Sequence, residues 1–141
     1  MVASRAQSNK AKMTRLNISS GSEWENIVGY CRAVRIGNVI EVAGTVASGN
    51  DGQVVGAGDM GVQAHYIFTK IEKALQEAGA SMADVVRTRM FVTDISQWEA
   101  VGRAHGEFFR DVRPVATMVE VTALIDPNYM VEIEVTARLE P

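Results

Sequence analysis

Two stretches near the carboxy terminus read with a period of two. Val115, Thr117, Val119 and Val121 interleave with Ala116, Met118 and Glu120. After a break at Asp126-Pro127-Asn128, Val131, Ile133, Val135 and Ala137 interleave with Glu132, Glu134 and Thr136. A period of two predicts two strands, each with one face for a core and one for something else. Earlier in the chain, Cys31–Ile36 and Val39–Ala43 are extended runs joined by Gly37-Asn38. Both joining residues tolerate the positive φ of a tight hairpin turn. Gly44, just beyond, would let the backbone approach a ligand or another chain closely.

The period then changes. Ala64, Ile67, Phe68, Ile71, Ala74, Leu75 and Ala78 recur at three- and four-residue steps. This predicts a helix with one apolar stripe, stopped by Gly79, with Lys70, Glu72, Lys73, Gln76 and Glu77 on its wet face. Val85–Thr93 reads as another strand, with Arg87 and Arg89 on one side. A second helix would carry Trp98, Val101, His105, Phe108 and Phe109. Its cap is Asp94 or Ser96, the latter fitting a capping box with Glu99.

Hairpin, helix, strand, helix, strand, strand is an α+β order. It predicts a single mixed sheet of about six strands with both helices on one face. The opposite face mixes Val and Met with charges and needs a cover, most simply a partner subunit. Residues 1–16 hold Arg5, Lys10, Lys12 and Arg15 with no acid, and are expected to form a disordered tail ahead of one domain over 17–141. A transit peptide is the alternative reading of that tail.

Composition narrows the functional classes. The 141 residues suit one domain, with 47% hydrophobic and 22% charged residues. A net charge of −3 gives no pull toward nucleic acid or an anionic membrane, and aromatic residues at 6% are too few for a base-stacking platform. A single cysteine, Cys31, excludes an internal disulfide and suits the cytoplasm. No apolar run approaches the roughly 18 residues of a membrane helix.

Among candidate motifs, Gly56-Ala57-Gly58-Asp59-Met60-Gly61 has the dinucleotide-binding spacing but no proper strand before it, so Asp59 reads as a helix cap. His65 reads as a surface residue and His105 as a hydrogen-bonded core histidine. Neither has a second ligand at metal spacing, so no metal is expected. Cys31 reads as a small hydrophobe in a strand. Arg32, Arg35, Arg87 and Arg89 read as a solvated face or ion pairs between subunits. Glu132 and Glu134, about 7 Å apart on one face, are the residues that invite chemistry, because paired carboxylates shift each other's protonation in a cleft.

Pro114, Val119-Glu120-Val121 and Val131-Glu132-Ile133-Glu134 together resemble the carboxy-terminal signature of the YjgF/RidA family of imine and enamine deaminases, also described as L-PSP endoribonucleases. The resemblance runs from about Ile27 to Arg138 and includes Gly29-Tyr30 and Gly44. It implies a chorismate-mutase-like fold, a homotrimer and small-molecule clefts between subunits, with no cofactor. It places Glu132 as the catalytic residue, and Tyr30, Ala43, Gly44, Ala116, Thr117 and Met118 at the substrate.

One departure matters. The family's arginine, which pins a substrate carboxylate, is here Ala116, and a serine before the glycine is Ala43. A methyl group makes no bidentate bond, and losing that anchor should cost about 2–5 kcal/mol of binding. In a cleft lined by Ala43, Ala116 and Met118 the pKa of Glu132 should rise, which suits a general acid/base near neutral pH. The expected ligand is then less anionic than a 2-imino acid, unless Arg32, Arg87 or Arg89 substitutes. The expected activity is hydrolysis of an imine, enamine or related metabolite. The alternatives are a metabolite binder without turnover and, least supported, a ribonuclease.

Overall fold

The computed structural model describes residues 14–141. The expected tail lies outside the described residues up to Met13, but Arg15 and Leu16 open a strand instead. In chain order the elements are β1 (Arg15–Ile18), α1 (Glu23–Val28), β2 (Ala33–Ile36), β3 (Val39–Thr45), α2 (Met60–Glu77), β4 (Val85–Val92), α3 (Trp98–Phe109), β5 (Val115–Glu120) and β6 (Val131–Arg138). One six-stranded sheet runs β1-β2-β3-β6-β4-β5. It is mixed: β4 and β5 are parallel, the other pairs antiparallel.

The last strand in sequence therefore lies in the middle of the sheet. Val131, Ile133, Val135 and Ala137 of β6 are buried, as are Ile40 and Val42 of β3 and Met90 and Val92 of β4. These side chains form the floor on which α2 and α3 pack. The expected stripe of α2 is buried throughout, and Asp59 caps the helix, accepting from the Val62 amide at 3.0 Å. At the centre, the ring of Phe68 meets Phe109 edge-on at 5.5 Å and His105 at 5.7 Å. His105 is held by the Thr88 hydroxyl, 2.9 Å from Nε2, and burial pushes its pKa down. This is the core histidine that the sequence suggested.

Several local expectations fail for physical reasons. Asp94, not Ser96, caps the turn before α3, accepting from the Ser96 amide at 3.0 Å. Glu99 pairs instead with Arg103, at 3.0 Å. Residues Ile95–Gln97 form a 3-10 turn, so α3 begins at Trp98, which is 55% exposed, and the buried stripe is Val101, Ala104 and Phe109. Cys31 stands two residues before β2. Short α1 was not expected at all. Its start is capped by Ser22, and its Glu25 is anchored by the amide and hydroxyl of Ser20.

Candidate functional site

The alternation of β6 that buries its valines puts Glu132, Glu134 and Thr136 on the face away from the helices. Their sheet neighbours on β4 are Phe91, Arg89 and Arg87 respectively. Glu134 is satisfied there, accepting from Arg89 Nη1 at 3.1 Å, and Thr136 donates to Glu41 at 2.6 Å. Glu132 has no such partner among the described residues. It is half-buried, and burial pushes its pKa up; the Arg32 charge opposes that rise and the neighbouring Glu134 adds to it.

What makes room for Glu132 is a glycine. The register between β3 and β6 slips between Val42 and Thr45, so Ala43 and Gly44 together stand opposite Glu134, and the bulge brings Gly44 against the Glu132 side chain. A Cβ on Gly44 would overlap Glu132 Oε2 and lie 3.0 Å from its Cδ. The missing side chain at Gly44, whose backbone is not left-handed, thus leaves the space in which the Glu132 carboxyl sits.

Two cations arrange the backbone around this point. Arg32 Nη2 donates to the Gly44 carbonyl at 2.6 Å. Lys70, expected on the wet face of α2, instead straps the segment after β3. Its ammonium donates to Val46 O at 2.9 Å, Ser48 O at 3.1 Å and Ser48 Oγ at 3.0 Å. Burial, together with the Arg32 charge, pulls the Lys70 pKa down to about 8. On the other side, the fully buried Gln63 donates to Asn128 O at 2.9 Å and accepts from the Met130 amide at 2.9 Å, which fixes the entry into β6. Sequence reasoning missed Lys70 and Gln63, since their partners are loop atoms far along the chain. A glutamine on the buried side of α2 was the only available signal.

The other expected site residues divide into two groups. Ala43 adjoins Gly44 and lines an open cavity of about 370 Å³ with Cys31, Glu41, Arg87, Arg89 and Glu134. Tyr30 follows the α1 cap and is 40% exposed. Ala116, Thr117 and Met118 lie on β5, beyond β4 from Glu132. Ala116 and Met118 pair with Thr88 and Met90 and so face the helix side, whereas Thr117 pairs with Arg89 and faces the open side. A single chain therefore does not bring the β5 residues to Glu132. Glu120 serves a structural purpose, accepting from the Ile95 amide at 3.0 Å.

Chemically, the Glu132 corner offers a carboxylate poised to exchange a proton, a neighbouring guanidinium and a backbone with no side chain in the way. The family model described as Endoribonuclease L-PSP matches residues 21–139. The chain is 52% identical to Rv2704 of Mycobacterium tuberculosis, a member of the YjgF/YER057c/UK114 family. That match has a TM-score of 0.81 and covers 89% of this chain and 100% of that one. An uncharacterised protein of Streptomyces coelicolor is 40% identical over 120 residues, 85% of this chain and 89% of its own length. The 3-aminoacrylate deaminase RutC of Acinetobacter baylyi is 28% identical over 110 residues, 78% of this chain and 86% of that one. The strand order, the central closing strand with its Glu132 and these matches agree: the chain belongs to the endoribonuclease L-PSP family, the YjgF/RidA proteins.

Proposed function

We propose that the chain hydrolyses small imines or enamines in a pocket centred on Glu132 and completed by a second copy, within a homotrimer. The observation that carries this reading is the carboxylate itself: half-buried, unpaired among the described residues and raised in pKa, in a space that exists because residue 44 has no side chain. Water adds to the C=N carbon of the protonated imine (an enamine first takes a proton at carbon to become one) while Glu132 takes a proton from that water, giving a neutral carbinolamine. The carboxyl returns the proton to nitrogen, the C–N bond breaks to release ammonia, and the hydroxyl proton passes to the freed Glu132 carboxylate, leaving a carbonyl product. The relative named for 3-aminoacrylate, an enamine, supports this class of substrate. Support for a second copy comes from the sheet edge, where Val115 and Val119 are exposed on β5 and Thr117 lies a strand too far to serve Glu132 of its own chain.

A second reading, a pocket that binds a metabolite without turning it over, draws on Ala116, which offers nothing to hold a substrate carboxylate. Substitution at Gly44 separates the two. In Gly44→Ala the new methyl group displaces the Glu132 carboxylate, a flexible group that moves without unfolding anything. Misplacement by about an ångström should cost about 10²-fold in turnover of 2-iminobutanoate with the melting temperature unchanged. Full activity in Gly44→Ala would remove Glu132 from the reaction.

A further inference from the structure

Where β3 leaves the sheet ladder, side chains take over its carbonyls. The Thr45 hydroxyl donates to Ala43 O at 2.8 Å, Arg32 Nη2 to Gly44 O at 2.6 Å and Lys70 Nζ to Val46 O at 2.9 Å. Of these three, Lys70 alone comes from the helix layer. Its ammonium also reaches Ser48 O and Oγ, so three N–H donors meet three oxygens. Those oxygens lie at the neck of a closed loop, in which Val55 N donates to Ala47 O at 2.8 Å and Ser48 pairs with Val54. A neutral amine has two donors and a lone pair, so losing the proton breaks one bond and turns that lone pair toward an oxygen. No carboxylate offsets the charge, since among the described residues Lys70 makes no ion pair. Arg32, just ahead of β2, is the charged neighbour that acts on it, and it repels. Glu25 of α1 and Glu132 of β6 feel Arg32, Glu41 of β3 is bonded by Thr136, and Asp51 of the loop by the Gln53 amide. The route from Lys70 to Glu132 is therefore the backbone: Val46 stands two residues past Gly44, against which the Glu132 carboxyl lies.

We infer that Lys70 is a positioning residue for Glu132: by holding Val46 and Ser48, its ammonium fixes the Gly44 backbone against which the carboxyl is set. In its consequence for turnover this rests on the pocket proposed above. Charge-assisted bonds to carbonyl oxygens are the strong kind, so the protonated amine holds the segment and the neutral one releases it.

Carbon NMR of protein labelled at the glutamate carboxyl carbons tests it, with the Glu132 signal identified by its absence in Glu132→Gln. In the wild type that signal should step at its own titration, above 4.5, and again at about pH 8 as Lys70 gives up its proton. Lys70→Arg should remove the second step up to about pH 10, because a guanidinium keeps its charge there. Lys70→Met should remove it too and lower kcat for 2-iminobutanoate by about tenfold or more. If Lys70→Met does not fold, Lys70→Arg decides alone. A wild-type signal with no second step, or a step that survives in Lys70→Arg, overturns the inference. A Lys70→Met protein that melts lower yet keeps the wild-type kcat and Glu132 signal overturns it as well, since the lysine then serves the fold alone. A carboxyl signal that follows Lys70, with turnover that ignores Glu132→Gln, would sink the hydrolytic reading and leave this one standing.

Discussion

Glu132→Gln is expected to lower turnover of 2-iminobutanoate by about 10²- to 10⁴-fold, the usual worth of a positioned acid/base. The amide keeps the shape of the side chain but can neither take a proton from water nor return one to nitrogen. The protein should not lose stability. A carboxyl whose folded pKa is raised binds its proton more tightly when folded, so ionising it weakens the fold as pH climbs through the window above the ordinary value of 4.5. Glutamine removes that penalty, so the variant should match or exceed the wild type at neutral pH and lose any advantage in acid. In the wild type, turnover should fall as pH drops through a midpoint above 4.5. Unchanged turnover in the variant would end the role given to Glu132.

Phe68→Ala should be the most damaging single change to the fold. Phe68 is fully buried and stacks edge-on against Phe109 and His105, tying α2 to α3 over the centre of the sheet. Emptying that position costs about 3–5 kcal/mol, transfer and cavity terms together. For a domain of this size the melting temperature should drop by about 10–15 °C. In urea the midpoint should shift while the slope stays constant. A loss under about 1 kcal/mol would mean that the two helices do not share the core described above.

How far the sequence reached depended on how much of each element's behaviour is local. The seven-residue stripe of α2 and the alternation of β6 are long enough to show their period, and both elements stand as expected. Four-residue β1 and six-residue α1 are too short for any period to declare itself. The exposure of Trp98 was hidden because a 3-10 turn rotates the start of α3, a detail that side-chain spacing does not encode. At the site, Glu132 and the close approach at Gly44 were legible separately. Their mutual contact was not, since it depends on a bulge that only the pairing of β3 with β6 reveals. Lys70 shows the same gap: on a helical wheel it belongs to the solvent, and only the segment folded over it supplies its three acceptors.

The ability of Glu132 to act depends on whether a small molecule meets it where two chains join. Soaking crystals with 2-oxobutanoate and locating the ligand answers this directly. Ligand density is expected over Gly44, within hydrogen-bond reach of the Glu132 carboxyl, and touching β5 residues of a neighbouring chain. A Glu132 side chain turned into bulk solvent, or a ligand held by one chain alone away from Gly44, would contradict it.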